Sequence, residues 1–214
     1  MTPPPHALPR KVHGDSILAD DGSFLWLAIP KNASRSLRQW LSPRGRSVRE
    51  LAGGERLQDW LARADLPAWS FAAVRHPEAR VVSAWTNKLQ SPPDTPSQAR
   101  LMADNPGLVP GMTLDAFIGW LAETVPNGRA VDNHWRPQHH FIYDRQGVRR
   151  VDHIVRCEQL AQDLATATDR LGGLEGLPWL NRTGGADGPV ALAPHQRRAV
   201  RDIYARDFEL LGYD

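Results

Sequence analysis

Apolar positions along this chain fall into two rhythms. Residues 24–29, Phe-Leu-Trp-Leu-Ala-Ile, form an unbroken apolar run between Asp21-Gly22 and Pro30. A short run of this kind predicts a strand buried on both faces of a parallel sheet. Residues 31–36 are small, polar or charged, and Leu37-Arg-Gln-Trp-Leu41 then takes up helical spacing. Residues 69–74, Trp-Ser-Phe-Ala-Ala-Val, predict a second buried strand. Pro77 opens a run to residue 90 that sets Val81, Val82, Trp85 and Leu89 on one helical face. Two strand–loop–helix units in succession predict an α/β layered fold.

The remaining pattern fills in around these units. Residues 1–22 read as an irregular arm, and residues 42–46 break the first helix. Leu57, Trp60 and Leu61 predict a short helix over 55–64. Residues 91–111 hold prolines at 92, 93, 96, 106 and 110 and read as an irregular insertion or lid. Thr113 reads as the N-cap of a helix to residue 124, with Leu114, Phe117, Ile118 and Leu121 as its stripe. Residues 127–140 read as irregular, 141–143 as a short strand before a turn, and 151–155 as a third strand. Helices follow over 158–171, closed by Gly172-Gly173, and over 194–211, with a loop at 178–188.

Composition narrows the class. The 214 residues suit one domain, taken as 23–214 after the arm. A net charge of +2 supplies no basic field for nucleic acid, so any anion site has to be local. The single cysteine, Cys157, excludes an intrachain disulfide framework and a cysteine-rich zinc site. Without an apolar run of membrane-spanning length or a signal-like start, the expectation is a cytoplasmic protein. The oligomeric state is not readable.

The candidate chemistry sits at the loops. A strand, a tight polar loop and a helix aim backbone N–H groups and a helix N-terminus at an anion. Lys31 adds a charge there, and Ser34 and Ser36 add hydroxyls. The alternative is an ordinary turn with an exposed lysine. The loop is not a Walker A motif, which needs Gly-Lys-Ser/Thr. Arg75 ends the second strand, and Ser83 follows eight positions on, two turns into the next helix. An arginine fork with a hydroxyl suits a terminal phosphate.

Lys31 to Leu37 resembles the 5′-phosphosulfate loop of sulfotransferases. Val74-Arg-His-Pro-Glu-Ala-Arg-Val-Val-Ser-Ala-Trp85 resembles the 3′-phosphate motif of the carbohydrate sulfotransferases, the Golgi chondroitin, dermatan and HNK-1 type enzymes and their bacterial relatives. Asp132-Asn-His-Trp-Arg-Pro-Gln138, Val155-Arg-Cys-Glu158, Leu180-Asn-Arg-Thr183 and the ending Tyr204-Ala-Arg-Asp-Phe208 with Gly212-Tyr213 are similar to further segments of that family, in order. The resemblance implies a three-layer, P-loop-like sandwich with a central, mostly parallel sheet flanked by helices. It also implies transfer of a sulfuryl group from 3′-phosphoadenosine 5′-phosphosulfate to a hydroxyl or amine of a carbohydrate or small-molecule acceptor, with no metal. Where relatives carry glycine and threonine, this chain has Ser34 and Arg35. Ser34 then has to allow the close backbone approach that glycine gives freely.

The resemblance assigns roles by position. Lys31 is expected to stabilise the leaving oxygen. The backbone of Asn32, Ala33, Ser34, Arg35 and Ser36 is expected to hold the 5′ oxygens, and Arg75 and Ser83 the 3′-phosphate. Arg35 adds charge there or faces solvent. His134 is the first candidate for general base and Asp132 the second. The plainer reading of His134 is that it orders its loop above Trp135. Arg182 and Thr183 either close over the nucleotide or acceptor or form a solvated loop. His139 and His140, read as strand neighbours, point to opposite faces and make no metal pair. Two other readings remain at this stage, a P-loop kinase and a non-catalytic nucleotide-binding protein.

Overall fold

The computed structural model describes residues 15–48, 67–90, 96–126, 132–144, 146–177 and 190–214. The strands are β1 (Ile17–Ala19), β2 (Leu25–Leu27), β3 (Gly45–Ser47), β4 (Ser70–Val74) and β5 (His153–Arg156). The helices are α1 (Ser34–Leu41), α2 (Pro77–Leu89), α3 (Pro96–Asp104), α4 (Leu114–Thr124), α5 (His139–Ile142), α6 (Leu160–Leu164), α7 (Pro194–Ile203) and α8 (Ala205–Leu211). Residues 55–64, expected to be helical, lie outside the described residues.

The described strands form one sheet in the order β3-β1-β2-β4-β5. β2, β4 and β5 pair in parallel, while β1 pairs antiparallel with β2 and with β3. β1 therefore runs against the other four, and the sheet is mostly parallel. The fold class is α/β, with helices flanking this sheet.

The chain divides into two compact units of interleaved segments. One comprises Met1–Arg75 and Gln138–Asn181, the other His76–Pro137 and Arg182–Asp214. The first holds the described strands with α1, α5 and α6. Its core joins Phe24, Trp26, Ala28, Phe71, Ala73 and Val155 to Leu37, Trp40 and Leu41 of α1 and to Leu160 and Leu164 of α6. The intervening Leu25, Leu27, Ile29, Ala72 and Val74 are buried too, so these strands carry apolar side chains on both faces.

The second unit is helical. Val81 and Leu89 of α2 pack with Leu114, Phe117, Ile118 and Leu121 of α4, Val200 of α7, Phe208 of α8 and the buried Trp135. The Thr113 hydroxyl accepts from the Ala116 N–H at 3.2 Å, the N-cap its position predicts.

Several expectations are corrected. Ile17–Ala19 lies in the expected arm yet is a strand, because its backbone pairs on both sides. Gly45–Ser47 forms the edge strand β3, and glycine is required there: a Cβ on Gly45 would collide with the Leu18 backbone. The proline-rich 91–111 stretch contains α3, with Pro96 at its first position, where a missing N–H costs nothing. Phe141 and Ile142 are helical rather than a strand, and only Tyr143 makes a bridge, to Arg149. His139 and His140 thus share a helix, with ring centroids 4.3 Å apart. The 158–171 helix is broken into α6 and flanking 3-10 turns before Gly172 ends it at φ 66°. The 194–211 helix is interrupted at Tyr204, whose φ is −111°.

Candidate active site

In the first unit, β2 leads through Pro30 into a loop with unusual backbone. Lys31 has φ 71° and Ala33 φ 54°, and among the described residues they are the non-glycine residues with positive φ. Each such conformation costs about 1–2 kcal/mol for an L-residue. Asn32 between them is not left-handed, and Ser34 begins α1, so handedness alternates from 31 to 34. Alternation of this kind favours an anion-binding concavity, although the Asn32 N–H itself donates to the Ile29 carbonyl at 3.3 Å. The strain falls on Lys31 and Ala33, while Ser34 takes helical backbone as the first residue of α1. Ala33 has no polar side chain to cap α1, so an anion can serve the orphan N–H groups there. Lys31, Ser34 and Ser36 are half-buried, and Arg35 is exposed.

A buried amide network fixes this loop. Asn32, 1% exposed, donates from Nδ2 to the Ala73 carbonyl at 2.8 Å and to Gln138 Oε1 at 2.7 Å. Gln138, fully buried, also accepts from the Arg75 N–H at 2.9 Å and donates from Nε2 to the Arg75 carbonyl at 2.8 Å. The Arg75 guanidinium donates to the Lys31 carbonyl at 3.3 Å. Lys31, Asn32 and Arg75 are thus brought together at the C-terminal ends of parallel strands, where α/β sheets bind ligands. The Asn32 Oδ1 is buried without a hydrogen-bond partner among the described residues.

In the second unit, the Asp132 carboxylate accepts from the His134 N–H at 2.8 Å and lies 2.6 Å from His134 Nδ1. Burial raises the Asp132 pKa. The ring and backbone hydrogen bonds of His134, with the charges of His134 and Lys88, outweigh burial and hold the carboxyl below its ordinary value. An ionised Asp132 accepts the Nδ1 proton, which leaves the lone pair of the neutral ring on Nε2. The segment carrying this pair is held from α2, from α4 and from Tyr204 at the break between α7 and α8. Arg80 of α2, 3% exposed, donates to the carbonyls of Arg136 at 2.8 Å and Asn133 at 3.1 Å. The Tyr204 hydroxyl donates to the Trp135 carbonyl at 2.8 Å. The Trp135 ring meets Phe117 and Trp120 of α4 edge-on.

The sequence model of the sulfotransferase family matches residues 15–214. The chain belongs to the sulfotransferase family. No curated protein and no solved structure gives a match. As a sulfotransferase it is an enzyme of sulfuryl transfer.

The other sulfotransferase positions distribute as follows. Ser83 lies half-buried on α2 in the second unit. His76 packs edge-on against Phe208 and Tyr213. Arg182 and Thr183 lie outside the described residues. Among the described residues, no three His, Cys, Asp or Glu side chains form a group that could hold a metal ion, and no helix is long and apolar enough to cross a membrane. Cys157 is buried; burial first, then the charge of Glu158, pushes its thiol up to about 12 against the pull of Arg75. Sequence reasoning gave no role to Gln138, Arg80 or Tyr204. Gln138 was signalled, since it closes the Asp132-to-Gln138 segment, but its partners are distant in sequence.

Proposed function

We propose that this sulfotransferase takes its sulfuryl group from 3′-phosphoadenosine 5′-phosphosulfate and passes it to a hydroxyl, or an amine, of a carbohydrate or other small acceptor. The observation that carries the reading is the alternating backbone from Lys31 to Ser34, with the Arg75 guanidinium on the Lys31 carbonyl. That loop presents N–H groups and a lysine, the donor set a sulfated 5′-phosphate requires. When bound, the nucleotide supplies an activated sulfuryl group whose transfer places charge on the bridging oxygen.

Each residue then has a task. Lys31 neutralises the developing charge, as cationic groups do in phosphoryl transfer. The N–H groups from Ala33 to Ser36 hold the 5′ oxygens, while that of Asn32 closes the turn on the Ile29 carbonyl at 3.3 Å. Arg75 and Ser83 bind the 3′-phosphate, Arg75 as a fork. His134 takes the acceptor's proton on Nε2, and Asp132 keeps that nitrogen unprotonated by holding Nδ1–H.

Calorimetric titration with 3′,5′-phosphoadenosine tests the reading. Wild type should bind, and Arg75→Ala should bind roughly 10- to 100-fold more weakly, the worth of lost charge-assisted hydrogen bonds. Absence of binding to wild type would sink it.

A further inference from the structure

The nucleotide reading above uses Lys31 and Arg75, yet Arg75 is itself held by a third residue, as is Asn32, the neighbour of Lys31. We infer that Gln138 is a positioning residue for the cofactor site: its side-chain amide locks the Lys31–Ala33 loop and Arg75 into a single geometry through Asn32. The inference rests on the nucleotide reading.

The hydrogen bonds carry the argument. β4 and β5 stay in register as far as Val74 and Arg156. Arg75 is the next residue, and the Gln138 amide meets both its N–H and its carbonyl. The Gln138 side chain thus acts on Arg75 as a neighbouring strand would, extending backbone pairing by one residue. This fixes the Cα–Cβ direction of Arg75, and hence where its guanidinium can go. The same Gln138 oxygen receives Asn32, which also bonds to Ala73 inside β4. Asn32 stands between the two left-handed residues, so its anchored side chain pins the loop at the centre of its strain.

The energies agree with this role. Lys31 and Ala33 are L-residues held in the strained left-handed region. Such conformations persist where surrounding structure over-determines them. A buried amide network, strengthened by low dielectric, supplies that constraint. Without it the loop would relax toward ordinary φ values and the N–H groups would diverge. Neither Gln138 nor the Asn32 amide needs to touch the nucleotide for this to matter, since misplacing a binding group by an ångström is enough to weaken recognition.

The test uses the full chain with Gln138→Met, which keeps the volume but not the amide, and Asn32→Ala, which removes the amide from the other side. Affinity for 3′,5′-phosphoadenosine is measured by calorimetry well below each variant's melting temperature, and hydrogen exchange is followed at the amides of residues 31–36. Each variant should bind roughly 10- to 100-fold more weakly than wild type. The double variant should lose no more than the worse single one, because both break one network. The loop amides should exchange faster while those of α4 do not change. If Gln138→Met does not fold, Asn32→Ala carries the test alone. A folded variant with wild-type affinity, or losses that add fully, would overturn the inference. Failure of wild type to bind overturns the nucleotide reading instead, and the exchange experiment then still decides whether Gln138 holds the loop.

Discussion

At the residue scale, the division of labour proposed for His134 and Asp132 follows from protonation. Asp132 stays ionised because hydrogen bonds and positive charge from His134, with Lys88, outweigh its burial. Ionised, it holds Nδ1 of the ring and directs basicity to Nε2. His134→Ala should therefore lower kcat by roughly 10²–10⁴, the usual worth of a general base. The affinity for 3′,5′-phosphoadenosine should stay within about twofold, since the proposed base serves the acceptor, not the nucleotide. The comparison is made with the best acceptor from a panel of mono- and disaccharides. Equal loss of affinity and turnover would assign His134 to loop order, the plainer reading of its position.

At the element scale, the loop between β2 and α1 concentrates backbone strain in a way that substitution can read. Ala33 adopts φ 54° and ψ 22°, tolerable for alanine but severe for a β-branched side chain. Ala33→Val should destabilise the protein by roughly 1–2 kcal/mol in urea unfolding, whereas Ala33→Gly should leave stability within about 1 kcal/mol of wild type. Equal midpoints for the two variants would contradict a left-handed Ala33. Legibility divides along the same lines. The central strands were readable because residues 24–29 and 69–74 are apolar on both faces, and α4 because Thr113 caps a regular stripe. The three-residue edge strands were not, since their pairing partners, not their side chains, define them. The interruption at Tyr204 was hidden because its hydroxyl bonds to the Trp135 carbonyl, a contact far from any local pattern. For the site, residue types were legible in Lys31, Arg75 and His134. The positive φ of Lys31 and Ala33 was not, because neither residue is of a type that favours it.

At the scale of the whole molecule, each compact unit buries an ionisable group that must stay neutral. Burial raises Cys157 in one and Tyr204 in the other. A folded pKa above the unfolded value gives stability that is complete below the unfolded pKa and lost as pH rises toward the folded one. The loss should begin near pH 9.0 through Cys157 and steepen above 10.0 through Tyr204. Each group contributes about 1.4 kcal/mol per pH unit. Unfolding free energies between pH 8 and 10.5 check this, and Cys157→Ala should flatten the first part of the curve; a wild-type curve already flat there would refute it. The interleaving of the two units bears as well on the birth of the chain. Phe71 of β4 pairs with His153 of β5, and the whole first segment of the helical unit is translated between them. A ribosome therefore releases β4 long before β5, its second parallel neighbour, exists. During that interval the nascent sheet has an apolar open edge, the kind of surface that chaperones cover.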